Sequence, residues 1–274
     1  MPSINTNVAA IKARSNLDKV QRDMDTSIAR LSSGKRITRA HDDAAGQAIA
    51  GRMESQIRGL VMGVRHAKDG QAMVDVQEGA LQEVAAILQR MRELAVQSSS
   101  GVASTTDQDY LNTEMTSLTA ELDAISANTE FNGTTVMSTA YSFVTDIDAS
   151  GTALSVGAGT MAAAVLAVNM AVVSIGGSST VSITSVLTSI DAGIATVANR
   201  RATLGAVSNR FDHVIDNLTN VIANTEAAKS RVEDADFAVE TTQLTRNTIL
   251  QQAATSMVAQ ANASKNSILA LIQG

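Results

Sequence analysis

The sequence predicts a mainly α protein: a long antiparallel α-helical coiled-coil rod with a small β-hairpin region inserted in the middle. Three observations carry that prediction. Apolar residues recur every three or four positions toward both ends of the chain, the spacing of one helical face. The composition is 45% apolar but only 2% aromatic, and the single proline is Pro2. The core must therefore be filled by Ala, Val, Ile, Leu and Met, in helices that nothing beyond Pro2 forces to break. Between Asn132 and about Val186 the composition shifts to Gly, Ser, Thr and Val, with almost no charge.

The first helical stripe runs Ile4, Val8, Ile11, Leu17, Val20, Met24, Ile28 and Leu31 and meets a stop at Ser32-Ser33-Gly34. The second runs Ile49, Met53, Ile57, Val61, Val64, Val74, Leu81, Val84, Leu88, Met91 and Ala95, much longer than a mean globular helix, and closes at Ser98-Ser99-Ser100-Gly101. Thr106 with Asp109 three residues on reads as the next helix start. Leu111, Met115, Leu118, Leu122 and Ile125 then step by four and three, the a/d seam of a coiled coil. In the middle, Asn132-Gly133 is a turn pair, and Ser142-Phe143-Val144 and Val181-Ser182-Ile183-Thr184 read as short strands. Helical spacing returns at Ile190, Ile194, Val197, Leu204, Phe211, Ile215, Leu218 and Ile222, and again at Leu250, Ala254, Met257, Ala261, Ile268 and Leu271. Helices before the insert must run back along those after it, which places the insert at one tip and both termini at the other.

Charge is segregated along the chain. Lys12, Arg14, Lys19, Arg22, Arg30, Lys35, Arg36 and Arg39 crowd the start, against Asp18, Asp23 and Asp25. No Lys or Arg falls between Glu93 and Asn199. The net charge is −6. No apolar run reaches the roughly 18 residues that a membrane span requires, so no membrane partner is expected. The N-terminus has no apolar stretch behind a basic start, so no ordinary secretory signal is expected there. Without cysteine, disulfide scaffolds and thiolate metal or redox sites are excluded.

The two ends are the informative part. The last 34 residues carry only Arg246 and Lys265 as charges, with a modest apolar face rich in Ala, Gln, Asn, Ser and Thr. Ordering such a segment costs about 1–2 kcal/mol per residue in backbone entropy. A lone pair of such helices buries too little apolar surface to offset that, whereas neighbouring copies supply the missing surface. Both ends are therefore expected to be mobile in the monomer and to fold on assembly.

Specific residues then narrow the field. Leu31-Ser32-Ser33-Gly34-Lys35-Arg36-Ile37, followed by Asp42-Asp43-Ala44-Ala45-Gly46-Gln47-Ala48-Ile49-Ala50, resembles the N-terminal signature of bacterial flagellin. So do Leu88–Gln97, Glu130-Phe131-Asn132-Gly133, Leu204–Phe211, Ser230–Ala235 and Ile249–Asn262. The resemblance covers about residues 1–135 and 186–274. It implies a terminal filament-core domain of residues 1–44 plus 236–274, and a rod-shaped domain of 45–235 with a β-rich insert at about 132–186, without large outer domains. It further implies a structural subunit that polymerises with itself into the extracellular flagellar filament after unfolded export by the flagellar type III route. The partners implied are an export chaperone at the C-terminal helix, the filament cap and the hook-junction proteins. Within that frame, Ile4, Val8, Ile11, Leu31, Leu111, Met115, Leu118, Leu250, Met257, Ile268 and Leu271 are expected to pack the filament. Gly34, Lys35, Arg36, Asp42 and Asp43 form a spoke, whose Lys35, Arg36 and Arg39 face Glu233, Asp234 and Asp236. The Leu88–Gln97 match also implies contact with the flagellin-specific Toll-like receptor of animals through Gln89, Arg90, Glu93, Leu94 and Gln97, with Glu114 on the next helix. Thr134, Thr135, Ser150, Thr152, Ser178, Ser179 and Thr180 are candidates for O-glycosylation, which some flagellins carry.

No catalytic, cofactor or metal site is expected. Gly157-x-Gly159-x-x-Ala162 lacks the acidic residue and βαβ frame of a dinucleotide loop. Asp146-x-Asp148 begins like a calcium loop, but position twelve is Gly157. His41, His66 and His213 are scattered. The basic N-terminal arm has no aromatic residues for stacking on bases, so no nucleic acid is expected. Two alternatives stand beside the flagellar subunit: a hook–filament junction protein with similar ends, and a coiled-coil adaptor that does not polymerise.

Overall fold

A computed structural model describes residues 6–100, 104–137, 140–144, 153–156 and 183–273. The architecture is mainly α. Among the described residues, five helices, α1 (Val8–Ser33), α2 (Ala44–Ser98), α3 (Thr105–Asn128), α4 (Ile183–Glu233) and α5 (Phe237–Gln273), flank four short strands, β1 (Glu130–Phe131), β2 (Thr134–Thr135), β3 (Tyr141–Val144) and β4 (Ala153–Val156). The chain divides into two compact units, residues 1–55 with 224–274, and residues 56–223.

In the unit of residues 56–223, seven-residue repeats build the core. On α2, Leu60, Ala67, Val74, Leu81, Leu88 and Ala95 are buried, interleaved with buried Gly63, Gly70, Gln77, Val84, Met91 and Ser98. On α4, Ile190, Val197, Leu204, Phe211 and Leu218 follow the same period and are buried. A strict repeat of seven keeps one seam facing its partner, as in a coiled coil. The small residues of the α2 seam matter. A Cβ at Gly70 would lie 2.5 Å from Phe211 Cζ and 3.2 Å from Phe143 Cδ2. Gly70 is thus the hollow into which Phe211 fits, with Phe143 of β3 meeting the same ring edge-on at 5.8 Å.

The α3 seam closes the same core. Met115 is fully buried, and Leu111, Leu118 and Ile125 pack against the cluster. Its start differs from expectation: Ser104, not Thr106, is the N-cap, and Asp107, not Asp109, completes the capping box. Both pairs have the same spacing, and the helix takes the earlier one. The α2 stripe also shifts. Val61 is exposed, while Leu60 and Gly63 point inward.

The strands form two antiparallel hairpins. β1 and β2 turn at Asn132-Gly133, both with positive φ, as the turn pair predicts. β3 pairs with β4 from Tyr141↔Val156 to Val144↔Ala153. The first hairpin is pinned by Gln77, whose Nε2 donates to the Val136 carbonyl at 2.5 Å, and by the Tyr141 hydroxyl, which donates to the Thr135 carbonyl. The strand expected at Val181–Thr184 is not formed at Ile183-Thr184. These residues open α4, because Val186 and Ile190 enter the buried seam. The dinucleotide-like and calcium-like segments lie outside the described residues.

Two glycine substitutions separate these effects. Gly70→Ala is expected to destabilise this unit by about 1–3 kcal/mol through overpacking, despite its better helix propensity. Gly79→Ala, whose new Cβ meets nothing within 4 Å, is expected to stabilise it by up to about 1 kcal/mol. Urea unfolding followed by circular dichroism measures both, and a Gly70→Ala protein as stable as Gly79→Ala contradicts the packing.

Candidate assembly surface

The unit of residues 1–55 with 224–274 is built on the antiparallel pair α1 and α5. Asn7 Nδ2 donates to the Ala261 carbonyl, Gln251 Nε2 to Gln21 Oε1, and Arg30 Nη1 to Glu240 Oε1, so the register between the two helices is constant along the pair. Asn7 also caps α1 by accepting from the Ala10 N–H, and Gly34 ends it with φ 70°, where its N–H reaches the Arg30 carbonyl. The pair encloses little apolar matter. The sole buried residue of α1 is Ser27, and on α5 Glu240 is 5% exposed. Leu17, Val20, Met24 and Leu31 of α1 are half-buried, and further large apolar side chains are exposed: Val8, Ile11 and Ile28 on α1, and Phe237, Val239, Ile249, Leu250 and Met257 on α5. Met257 is 63% exposed.

Among the residues expected to pack a filament, Val8, Ile11, Leu250 and Met257 are therefore exposed, and Leu31 is half-buried. Ile4 and the side chains of Ile268 and Leu271 lie outside the described residues. Met115 is the exception: it is fully enclosed in the internal core of one chain and has no surface left for a neighbour. Leu111 and Leu118 pack against that core and are half-buried.

The segment between α1 and α2 is held by backbone as well as charge. Lys35 and Asp234 form an isolated antiparallel bridge. The Arg36 N–H donates to the Glu233 carbonyl at 2.7 Å, and the Ala235 N–H donates to the Gly34 carbonyl at 2.9 Å. The Lys35 ammonium pairs with Glu233, which raises the lysine pKa. Arg36 differs from expectation: its guanidinium donates to the Val232 carbonyl rather than to an acid. Arg39 likewise makes no ion pair with Asp236, and its backbone N–H goes to Asp42 instead.

Asp42 and Asp43 organise the turn. One oxygen of Asp42 accepts from the Thr38 hydroxyl, the Thr38 N–H and the Arg39 N–H. These bonds, the hydroxyl first, hold its pKa below the usual carboxylate value. Asp43 accepts from the Gly46 N–H at 2.8 Å and so caps α2. A Cβ at Gly46 would lie 2.5 Å from Asp43 Oδ2 and 2.6 Å from Ile37 Cδ1, so buried Ile37 closes over the helix start only because residue 46 is glycine.

On α2, Arg90 bridges half-buried Glu114 of α3 at 2.8 Å and Glu93 at 3.1 Å, with Gln89, Arg90, Glu93 and Gln97 exposed. Leu94 does not join them. It is fully buried in the core and offers no surface to a partner. Of the glycosylation candidates, Thr134 is exposed and Thr135 half-buried, while Ser150, Thr152, Ser178, Ser179 and Thr180 lie outside the described residues.

Residues 4–142 match the model of the bacterial flagellin N-terminal helical region, and residues 187–272 match that of the bacterial flagellin C-terminal helical region. The chain belongs to the bacterial flagellin family. Flagellin of Halalkalibacterium halodurans is 38% identical over 278 residues, covering 98% of this chain and 99% of the relative. Flagellin of Bacillus subtilis is 37% identical with the same coverage. The flagellar filament 33 kDa core protein of Treponema phagedenis is 34% identical, again over 98% and 99%.

The two flagellin matches cover both helical units and leave out residues 143–186. Among the described residues, no group of His, Asp or Glu is arranged to hold a metal, and no helix is long and apolar enough to cross a membrane. Sequence reasoning missed the buried Arg30–Glu240 pair and the backbone bridge at Lys35 and Asp234. The constant register of α1 against α5 is the signal that brings both together.

Because the Asp42 pKa is lowered in the folded chain, its bonds contribute stability above its unfolded pKa of about 3.9 and lose it as pH falls through the lower folded value. The Thr38 and Arg39 amide resonances are therefore expected to titrate together below about pH 3.9, and Asp42→Asn is expected to abolish that step. A midpoint at or above the ordinary carboxylate value contradicts the assigned bonds.

Proposed function

We propose that this chain is a structural subunit of the flagellar filament that polymerises with itself through α1 and α5. The observation that carries this reading is the large apolar surface that the helix pair leaves uncovered. Leu17, Val20, Met24 and Leu31 are half-buried along the seam, while Val8, Ile11, Ile249, Leu250 and Met257 are outside. An apolar surface of that kind on a soluble chain marks an interaction site, and in a flagellin the matching occupant is another copy. Residues 1–44 with 236–274 then form the filament-core domain, and 45–235 the rod-shaped domain with its β-rich insert. The family resemblance extends the reading to unfolded type III export, an export chaperone on α5, contacts with cap and hook-junction proteins, and an extracellular filament as the final location. Exposed Gln89, Arg90, Glu93 and Gln97, with half-buried Glu114 beside Arg90, form a polar cluster suited to receptor contact in the free subunit and to burial between neighbours in the filament.

Purified protein added to sonicated filament seeds tests the core of this reading. Wild type is expected to elongate the seeds, and a chain with Ile249→Asp and Met257→Asp is expected to elongate them at least tenfold more slowly. Equal elongation contradicts α5 as the assembly surface. In the same preparation, monomer is expected to activate Toll-like-receptor reporter cells more than tenfold better than intact filament does, and Arg90→Ala monomer less than wild type. Equal activity of monomer, filament and variant removes the receptor assignment.

A further inference from the structure

The two flanks of the α1/α5 pair differ in charge. At about 100° per residue, the α1 residues that face α5 are Leu17, Val20, Met24, Ser27 and Leu31, which are half-buried or buried. One flank carries Lys12, Lys19, Asp23, Thr26 and Arg30, spaced by seven, four, three and four. The opposite flank carries Arg14, Asp18, Gln21 and Asp25, spaced by four, three and four. Gln21 bonds to Gln251 on that second side. On α5 the one charge between Thr241 and Ser264 is Arg246, and it falls on the first flank. There it lines a half-open cleft of about 320 Å³ together with Asp23, Thr26, Ser27, Arg30 and Asn247.

Setting aside Arg30, which Glu240 neutralises, the first flank presents Lys12, Lys19 and Arg246 against Asp23. The second presents Asp18 and Asp25 against Arg14. No ion pair joins any of these seven groups within the described residues. The cleft holds two cations, Arg30 and Arg246, against the carboxylate of Asp23. Arg30 binds Glu240 through Nη1, and its Nε and Glu240 Oε2 are both buried without a partner, so the cation left for an entering carboxylate is Arg246.

We propose that the flanks are complementary halves of a lateral joint between copies, with the Asp18 and Asp25 carboxylates of one copy seated against the Arg246 and Arg30 cleft of the next. The second copy is the occupant because it brings the matching acids on the same helix, with Asp25 level with Arg246 in the register set by Gln21–Gln251 and Arg30–Glu240. Such a joint is heterologous: each copy presents a different flank to each of two neighbours. Heterologous contacts close into rings or continue as helical arrays, whereas a self-complementary patch stops at a dimer. Arg246 would otherwise be covered on assembly as an unpaired cation beside Ile249 and Leu250, which is costly. Complementary flanks also fix which sides meet, since like-charged flanks repel.

This inference rests on the subunit reading, and charge reversal separates the two. Three variants are compared with wild type for elongation of wild-type seeds and then for self-seeded growth: Arg246→Glu, the pair Asp18→Lys with Asp25→Lys, and all three changes together. Each reversal alone is expected to slow self-seeded growth at least tenfold, and the combined chain is expected to recover to within about threefold of wild type because both faces of the joint are exchanged. Growth of the single reversals at the wild-type rate overturns the joint. So does a combined chain no faster than the slower reversal. Failure of wild type itself to elongate seeds overturns the subunit reading instead. Higher salt is expected to slow wild type and to narrow the gap between it and the variants, as screening of exposed charges requires.

Discussion

The constraint on which the rest depends is that α1 and α5 alone leave much of their apolar surface uncovered. Two helices in contact offer each other one stripe apiece, and here half-buried Leu17, Val20, Met24 and Leu31 share it with Ser27 and Glu240. A buried ion pair gives little net stability, because desolvation offsets most of its attraction. What the pair gains is a fixed register, with Asn7, Gln21 and Arg30 each meeting a set partner. Val8, Ile11, Ile249, Leu250 and Met257 remain exposed. In the proposed assembly other chains cover them, and the stability of the ends is deferred from the monomer to the assembly by the mass action that couples any binding equilibrium to folding.

The unit of residues 56–223 is built on the opposite plan. Its three helices share seams of period seven, and its core is closed within one chain. The hairpins are held to that core by buried Val136, Met137 and Val156, by the Gln77 bond to the Val136 carbonyl and by the Phe143–Phe211 contact over Gly70. Exposed ion pairs such as Arg92–Asp191 and Arg201–Glu78 span α2 and α4. Pairs of this kind contribute at most about 1 kcal/mol each, so they set alignment more than stability. The loop 34–43 is economical in the same sense. A backbone bridge, two capping carboxylates and the missing Cβ of Gly46 fix its path without a large core.

How much of this was legible in the sequence differs by type of signal. The helices, the Asn132-Gly133 turn and the strand through Phe143 follow from local chemistry and periodicity. Pairing of Lys35 with Glu233 followed from the charge content of the two segments. The α2 seam was only half legible, because Gly63, Gly70, Gln77 and Ser98 carry no hydrophobic signature and are recognised only through the seven-residue repeat. Leu94 and Met115 were misplaced for a related reason. Periodicity locates an apolar stripe but does not say whether its partner belongs to the same chain. Ile183-Thr184 shows tertiary burial overriding β propensity. The choice of Ser104 over Thr106 shows two equivalent capping signals two residues apart.

Amide hydrogen exchange on monomer and on filament tests the deferred-stability account most directly. In the monomer, amides of α1 and of α5 are expected to exchange orders of magnitude faster than those of the buried α2 and α4 seams within residues 56–223. In the filament, both sets are expected to be protected alike. Monomer protection of α1 and α5 equal to that of the seams would contradict the account, because the ends would then be stable without neighbours.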